Sequence, residues 1–217
     1  MTRPETSFNW SIYRDATLAG LAVLIPLPIL DAAFEQFFRR RMPRSIARAR
    51  GRQLSPASAR LLNRWGCSPA TLLLFPIWLL FWLLKRLSKK ILYFLTVKDS
   101  VDTLNYYWHR AFLLDYMLRA GHLDDLAQAE RAELALSRTL VEVRESPLTT
   151  LARQVVRQSR HVLRSLFAVV RRGQETDELQ SERSAMAQTW SRFQSHLETV
   201  AAHYQTTLDS LETVTPR

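Results

Sequence analysis

The chain carries 5 His residues, at 109, 122, 161, 196 and 203, and these are the first groups to test for chemistry. Asp102, His109, Asp115 and His122 recur at intervals of about seven, so one continuous helix would place them on a shared face. Two imidazoles and two carboxylates there could ligate a metal or pass a proton. Gly121 argues against the arrangement, because a glycine at that point ends a helix before His122. His196 and His203 are spaced like ordinary neighbours on a helix. The chain contains no His-Glu-x-x-His pair, no Asp-rich calcium loop, no phosphate-cradling glycine loop and no nucleophile elbow. The single Cys, Cys67, excludes an intrachain disulfide and a Cys-rich metal site. Its apolar setting marks a packing residue, since a reactive thiolate needs electropositive, partly exposed surroundings. The expectation is a non-enzymatic protein with no catalytic residues, no cofactor and no metal.

Charge offers more. The formal net charge is +10 and the pI about 10.4, which points to anionic partners and says nothing about fold. Arg39, Arg40, Arg41, Arg44, Arg48, Arg50 and Arg52 crowd one region, and no acid follows Glu35 until Asp99. Ordinary helix surfaces intersperse both signs. Arg holds phosphate oxygens bidentately, so these residues, with Lys85, Arg86, Lys89 and Lys90, are expected to contact acidic lipid. Arg153, Arg157, Arg160, Arg164 and Arg171 form a second stripe, readable either as a solvated face or as a basic amphipathic surface. Nothing in the chain reads bases, so nucleic acid is disfavoured as a partner.

The elements that must position these groups are helical. Only 5 Gly among 217 residues, 47% hydrophobic content and no period-2 alternation predict an all-α chain. Trp65–Leu84, WGCSPATLLLFPIWLLFWLL, is uncharged and about the length of one membrane span. Its Trp65, Leu72, Leu73, Phe75, Pro76, Trp78, Leu79, Phe81, Trp82 and Leu83 are expected to be membrane-embedded, with Pro76 kinking the helix. Both flanks are basic, so charge does not choose between a spanning and a re-entrant path. A second apolar run, Ala16–Leu30, is shorter than a span and is broken by Pro26 and Pro28. A secretory signal peptide is disfavoured there by Glu5, Asp15 and the lack of a small-x-small site. Residues 1–98 therefore read as a membrane-associated helical region with apolar segments 16–30 and 65–84.

Residues 99–217 read as an amphipathic helical bundle or coiled coil. Helices are predicted over Ser100–Ala120, His122–Glu145, Pro147 to about Arg172, and about Thr176 to Val214, with Ser55-Pro56 and Ser146-Pro147 as helix starts. In the last helix Leu179, Met186, Trp190, Phe193, Leu197, Val200, Tyr204 and Leu211 alternate by three and four. This packing seam either folds back on the same chain or serves self-association or a partner helix. The bulk of Trp190, Phe193 and Tyr204 favours fold-back onto His122–Glu145 and Pro147–Arg172.

The stretch from Leu18 to Gly66 resembles the EcsC-like proteins and the helical domain that accompanies some Era-like GTPases in YcjF-type proteins. The matching features are Ile25-Pro26-Leu27-Pro28, Asp31, Ile46 to Gly51 and Ser55 to Leu62. The glycine that often follows the Pro turn is replaced here by Ile29-Leu30, and no GTPase loop is present. The resemblance implies a bacterial membrane-associated helical protein and supplies no catalytic residues. The expected role is an adaptor or structural protein at the bacterial cytoplasmic membrane, C-terminal half cytoplasmic, binding anionic lipid and a helical partner. The alternative is a subunit of a transport or channel-type complex, disfavoured because neither apolar run holds a charged side chain.

Overall fold

In the computed structural model of the protein, residues 5–25, 28–63, 89–143, 146–159 and 177–214 are described. They form helices, with no strand among them. The helices are α1 (Trp10–Ala22), α2 (Pro28–Ala49), α3 (Pro56–Leu62), α4 (Lys89–Ala120), α5 (Leu126–Glu142), α6 (Leu148–Gln158), α7 (Asp177–Thr189) and α8 (Gln194–Val214). A short 3₁₀ turn, Trp190–Phe193, joins the last two.

The starts and stops obey local chemistry. Asn9 caps α1 by accepting from the Ser11 N–H at 3.0 Å, and Ser55 caps α3 by accepting from Ser58 N–H at 3.0 Å. Asp125 caps α5 through Gln128 N–H at 3.1 Å, so that helix starts after the expected His122. Gly51 at φ 64° and Gly121 at φ 79° end α2 and α4. Each supports a paired closure: Arg52 N–H reaches Ala47 O (2.9 Å) after the first, and His122 N–H reaches Met117 O (3.0 Å) after the second. Gly121 is thus the helix terminator expected from sequence, and it separates His122 from the face that carries His109 and Asp115.

α4 is the central post. Leu104, Trp108, Ala111, Leu113, Leu114 and Met117 are fully enclosed along it. α1 and α2 pack on one flank of α4, α6 packs on another, and α8 lies against both α5 and α4. One continuous core joins Trp10 and Leu18 to Leu136, Val155 and Leu208. The 98/99 division falls inside α4, and helices on both sides of it share that core.

The Ala16–Leu30 run turns out differently from its expected membrane association over its described part. Ala16, Leu18, Ala19, Leu21, Ala22 and Ile25 are buried in protein, beneath α2 and α4. A helix that is apolar all round needs burial, and a protein core satisfies that as well as lipid does. Trp65–Leu84 lies outside the described residues. Among the described residues, no helix is long and apolar enough to cross a membrane.

The tightest crossing is at Gly20. A Cβ there would stand 2.6 Å from Leu104 Cγ and 2.8 Å from the Leu104 Cα, and the same Gly20 carbonyl accepts from Ser100 Oγ at 3.1 Å. Gly20→Ala should therefore destabilise by about 1–3 kcal/mol through overpacking, although alanine is the better helix former by ~1 kcal/mol. Chemical denaturation would measure this, and an unchanged or higher midpoint would mean the helices can part at no cost.

The seam folds back, as its aromatic bulk suggested. Met186, Trp190, Phe193, Leu197, Val200 and Tyr204 are buried and Leu211 is half-buried, while the Leu179 side chain lies outside the described residues. Two details differ from expectation. The helix is interrupted by the 3₁₀ turn, and Trp190 packs on the N-terminal region, with Tyr13 at 4.3 Å and Phe8 at 5.3 Å between ring centroids.

Candidate functional site: an arginine groove on the first two helices

α1 and α2 run side by side, and their outer faces enclose a concave space of about 770 Å³. Arg14 comes from α1, and Arg40, Arg41, Arg44 and Arg48 come from α2. Arg40, Arg44 and Arg48 recur every four residues and so share one ridge, with Arg41 beside it. Opposite that ridge, Phe34, Phe38, Met42 and Ile46 follow the same spacing and are buried, which is what turns the Arg ridge outward. Phe37 stands at the groove with 41% of its surface exposed.

Asp15 lies beneath the groove, 1% exposed. Its carboxylate is neutralised by Arg41 Nε at 3.2 Å and Arg14 Nε at 3.6 Å. Both contacts are ion pairs lacking hydrogen-bond geometry, since neither Asp15 oxygen has a hydrogen-bond partner. Arg40 is held by Gln36, whose amide oxygen, oriented toward it, accepts from Nε (2.9 Å) and Nη2 (3.2 Å). Arg44 and Arg48 are exposed and make no ion pair among the described residues. Among the described residues no carboxylate lines the groove.

The other sequence-nominated cations divide. Arg50 is a structural residue and is withdrawn from the lipid-contacting set. Its guanidinium donates from Nε (2.7 Å) and Nη2 (2.9 Å) to the two oxygens of Asp115, and pairs with Glu5 at 2.9 Å. The hydrogen bond with Asp115 raises the Arg50 pKa still further. Arg52 is likewise committed, donating to Leu118 O and pairing with Asp124 at 2.8 Å. Arg39 faces away from the groove, beside Glu35 and Tyr107, in a smaller hollow of mixed charge that also contains Asp102. Lys89 and Lys90 open α4 with their side chains outside the described residues, as are Lys85, Arg86 and the ten membrane-embedded candidates from Trp65 to Leu83. On α6, Arg153 and Arg157 are exposed while Leu151, Val155 and Val156 are buried. Arg160, Arg164 and Arg171 lie outside the described residues.

The histidines do not assemble the site that their spacing raised. Asp102 is exposed, Asp115 is tied to Arg50, and His122 Nδ1 meets Tyr204 Oη at 3.0 Å. A different trio does form. His109 Nε2 lies 3.0 Å from His196 Nε2, and Ser146 Oγ is 3.3 and 3.1 Å from them. The His109 Nδ1–H donates to Asn105 O at 2.7 Å, which leaves its Nε2 as the acceptor for His196. Ser146 Oγ also accepts from Leu148 N–H at 3.1 Å, so it starts α6 and joins α4 to α8. Among the described residues no carboxylate orients either imidazole, and the trio reads as a neutral structural clasp. Among the described residues no group of three or more His, Cys, Asp or Glu is arranged to hold a metal.

The clasp has a pH consequence. Burial lowers the His109 pKa from 6.5 to about 4, and burial lowers that of His196 as well. The unfolded chain then binds more protons than the folded one between those values, so stability falls as pH drops from 6.5 toward 4. The loss attributable to His109 is on the order of 3 kcal/mol. Urea denaturation across that window should show it, and His109→Gln should flatten the dependence. A wild-type profile already flat there would place the proton elsewhere.

Geometry thus defines an all-helical protein with a basic, acid-free groove on one pair of helices. No protein-family model, curated protein or solved structure matches this chain.

Proposed function

We propose that the protein is a non-enzymatic, membrane-anchored adaptor that binds acidic lipid. The observation that carries this reading is the Arg groove of α1 and α2 with exposed Phe37 beside it. Cations for headgroups next to an aromatic ring for the acyl boundary are the pairing that interfacial binding uses. Each Arg near an anionic surface contributes about 1 kcal/mol, so several on one ridge outweigh screening. The uncharged, Trp-rich Trp65–Leu84 segment supplies the anchor. The resemblance of Leu18–Gly66 to membrane-associated helical domains points the same way. Because the seam of α7 and α8 is consumed inside the chain, a partner helix would meet α5, where Leu126, Leu134 and Val141 are 48%, 42% and 61% exposed.

Alkaline carbonate washing of membranes tests the anchor. The protein should stay in the pellet, and the Leu79→Asp/Leu80→Asp variant should be released, since each central charge costs roughly 2.5–3.5 kcal/mol on insertion. Wild-type protein recovered in the wash without detergent would overturn the anchor. Equal, salt-insensitive binding to neutral and acidic vesicles would overturn the lipid reading.

A further inference from the structure

We propose that the α1–α2 groove is a discrete binding site for a phosphomonoester group, carried by a lipid headgroup or by a soluble phosphate ester. The proposal deepens the acidic-lipid reading and rests on it for the lipid source. A diffuse basic patch would attract any anionic surface by charge alone. This groove is different in shape, in orientation and in having no acid in its described lining.

Its volume of about 770 Å³ falls in the range of small-molecule sites, ~300–1,000 Å³. Guanidinium groups reach it from two helices, so an anion inside is approached from more than one side. Gln36 fixes Arg40, which reduces the entropy lost when that side chain engages a ligand, and the buried Asp15 draws Arg41 and Arg14 toward the groove by charge. Arg44 and Arg48 supply charge that no described acid neutralises. Ser11 lines the groove from the first turn of α1 and adds a hydroxyl donor to it.

Charge and geometry select the ligand class. A phosphodiester carries one negative charge and two free acceptor oxygens, so it answers fewer of these cations than a phosphomonoester does. A phosphomonoester carries about −1.5 to −2 at neutral pH and offers three strong acceptor oxygens. Planar guanidinium forks bind such oxygens two at a time.

The test uses the full-length protein and two sets of phosphatidylcholine vesicles matched for surface potential, one doped with phosphatidic acid and one with phosphatidylserine. Binding to phosphatidic acid should be at least about tenfold tighter. Arg44→Gln/Arg48→Gln should erase that preference, because both side chains are exposed and neither holds the fold together. Arg153→Gln/Arg157→Gln removes the same charge from α6 and should leave it intact. Glycerol 3-phosphate, titrated by calorimetry, should bind saturably to the wild type and not to the groove variant. Equal binding to the matched vesicles, with no glycerol 3-phosphate binding, would overturn the groove site while leaving the acidic-lipid adaptor standing. Saturable glycerol 3-phosphate binding without vesicle binding would support the groove and overturn the membrane source. A single-stranded oligonucleotide bound more tightly than phosphatidic acid vesicles, through Arg44 and Arg48, would overturn the proposal in favour of nucleic acid.

Discussion

Trp190→Ala is expected to cost about 3–5 kcal/mol, the range for truncating a buried Trp. Trp190 is 1% exposed, packs between Tyr13, Phe8 and Phe193, and donates from Nε1 to Thr6 O at 3.0 Å. Its removal therefore opens a cavity between the C-terminal helices and the start of the chain, and orphans a backbone acceptor as well. A domain of this size holds roughly 5–15 kcal/mol in all, so the variant should melt far below the wild type. The drop should be the same at every protein concentration, since the partners of Trp190 belong to its own chain. A seam used for self-association would instead gain stability with concentration. Melting curves over a wide dilution series decide the point: a midpoint that climbs with concentration in the wild type, and a folded monomer on Trp190→Ala, would make the helix an assembly surface.

Asp115→Ala is expected to cost about 3–5 kcal/mol, the range for removing one partner of a buried ion pair. Asp115 is 2% exposed and receives both Arg50, from the end of α2, and Arg119, one turn along α4 at 3.1 Å. Without the carboxylate, Arg50 and Arg119 lose the acid they share close to the buried Tyr13. Burial, reinforced by the Asp115 charge, pushes the Tyr13 phenol above its ordinary pKa. The triple replacement Arg50→Met/Asp115→Leu/Arg119→Met separates charge from packing, since it removes both cations that the carboxylate serves. It should recover most of the loss, because an apolar cluster of similar volume needs no desolvation. If the triple variant is as unstable as Asp115→Ala, the residues hold the fold through shape and not through their charges.

Much of the helical plan was legible along the chain. Ser55-Pro56, Ser146-Pro147 and Gly121 are local signals: a side-chain oxygen capping a free N–H, or a residue able to take positive φ, acts within one turn. The seam from Met186 to Leu211 was legible for a related reason, since helical period alone states which side chains share a face. Its bulk even indicated fold-back. The sequence did not show that a 3₁₀ turn at Trp190–Phe193 would redirect the indole onto Tyr13, because that partner lies at the far end of the chain.

The Arg cluster shows the division most sharply. By itself the sequence determined that an acid-free run of arginines exists, and that it follows helical spacing. Arg40, Arg44 and Arg50 are alike on that evidence. Only the tertiary structure decided that Arg40 and Arg44 border a groove with Arg14, while Arg50 turns inward to Asp115. The reason is reach. A cap or a stripe is settled by neighbours within a few residues, whereas the fate of a long cationic side chain depends on which carboxylate the packing of α1, α2 and α4 brings within about 3 Å. The same holds for Ala16–Ala22, whose apolar composition required burial but left open whether lipid or protein would provide it.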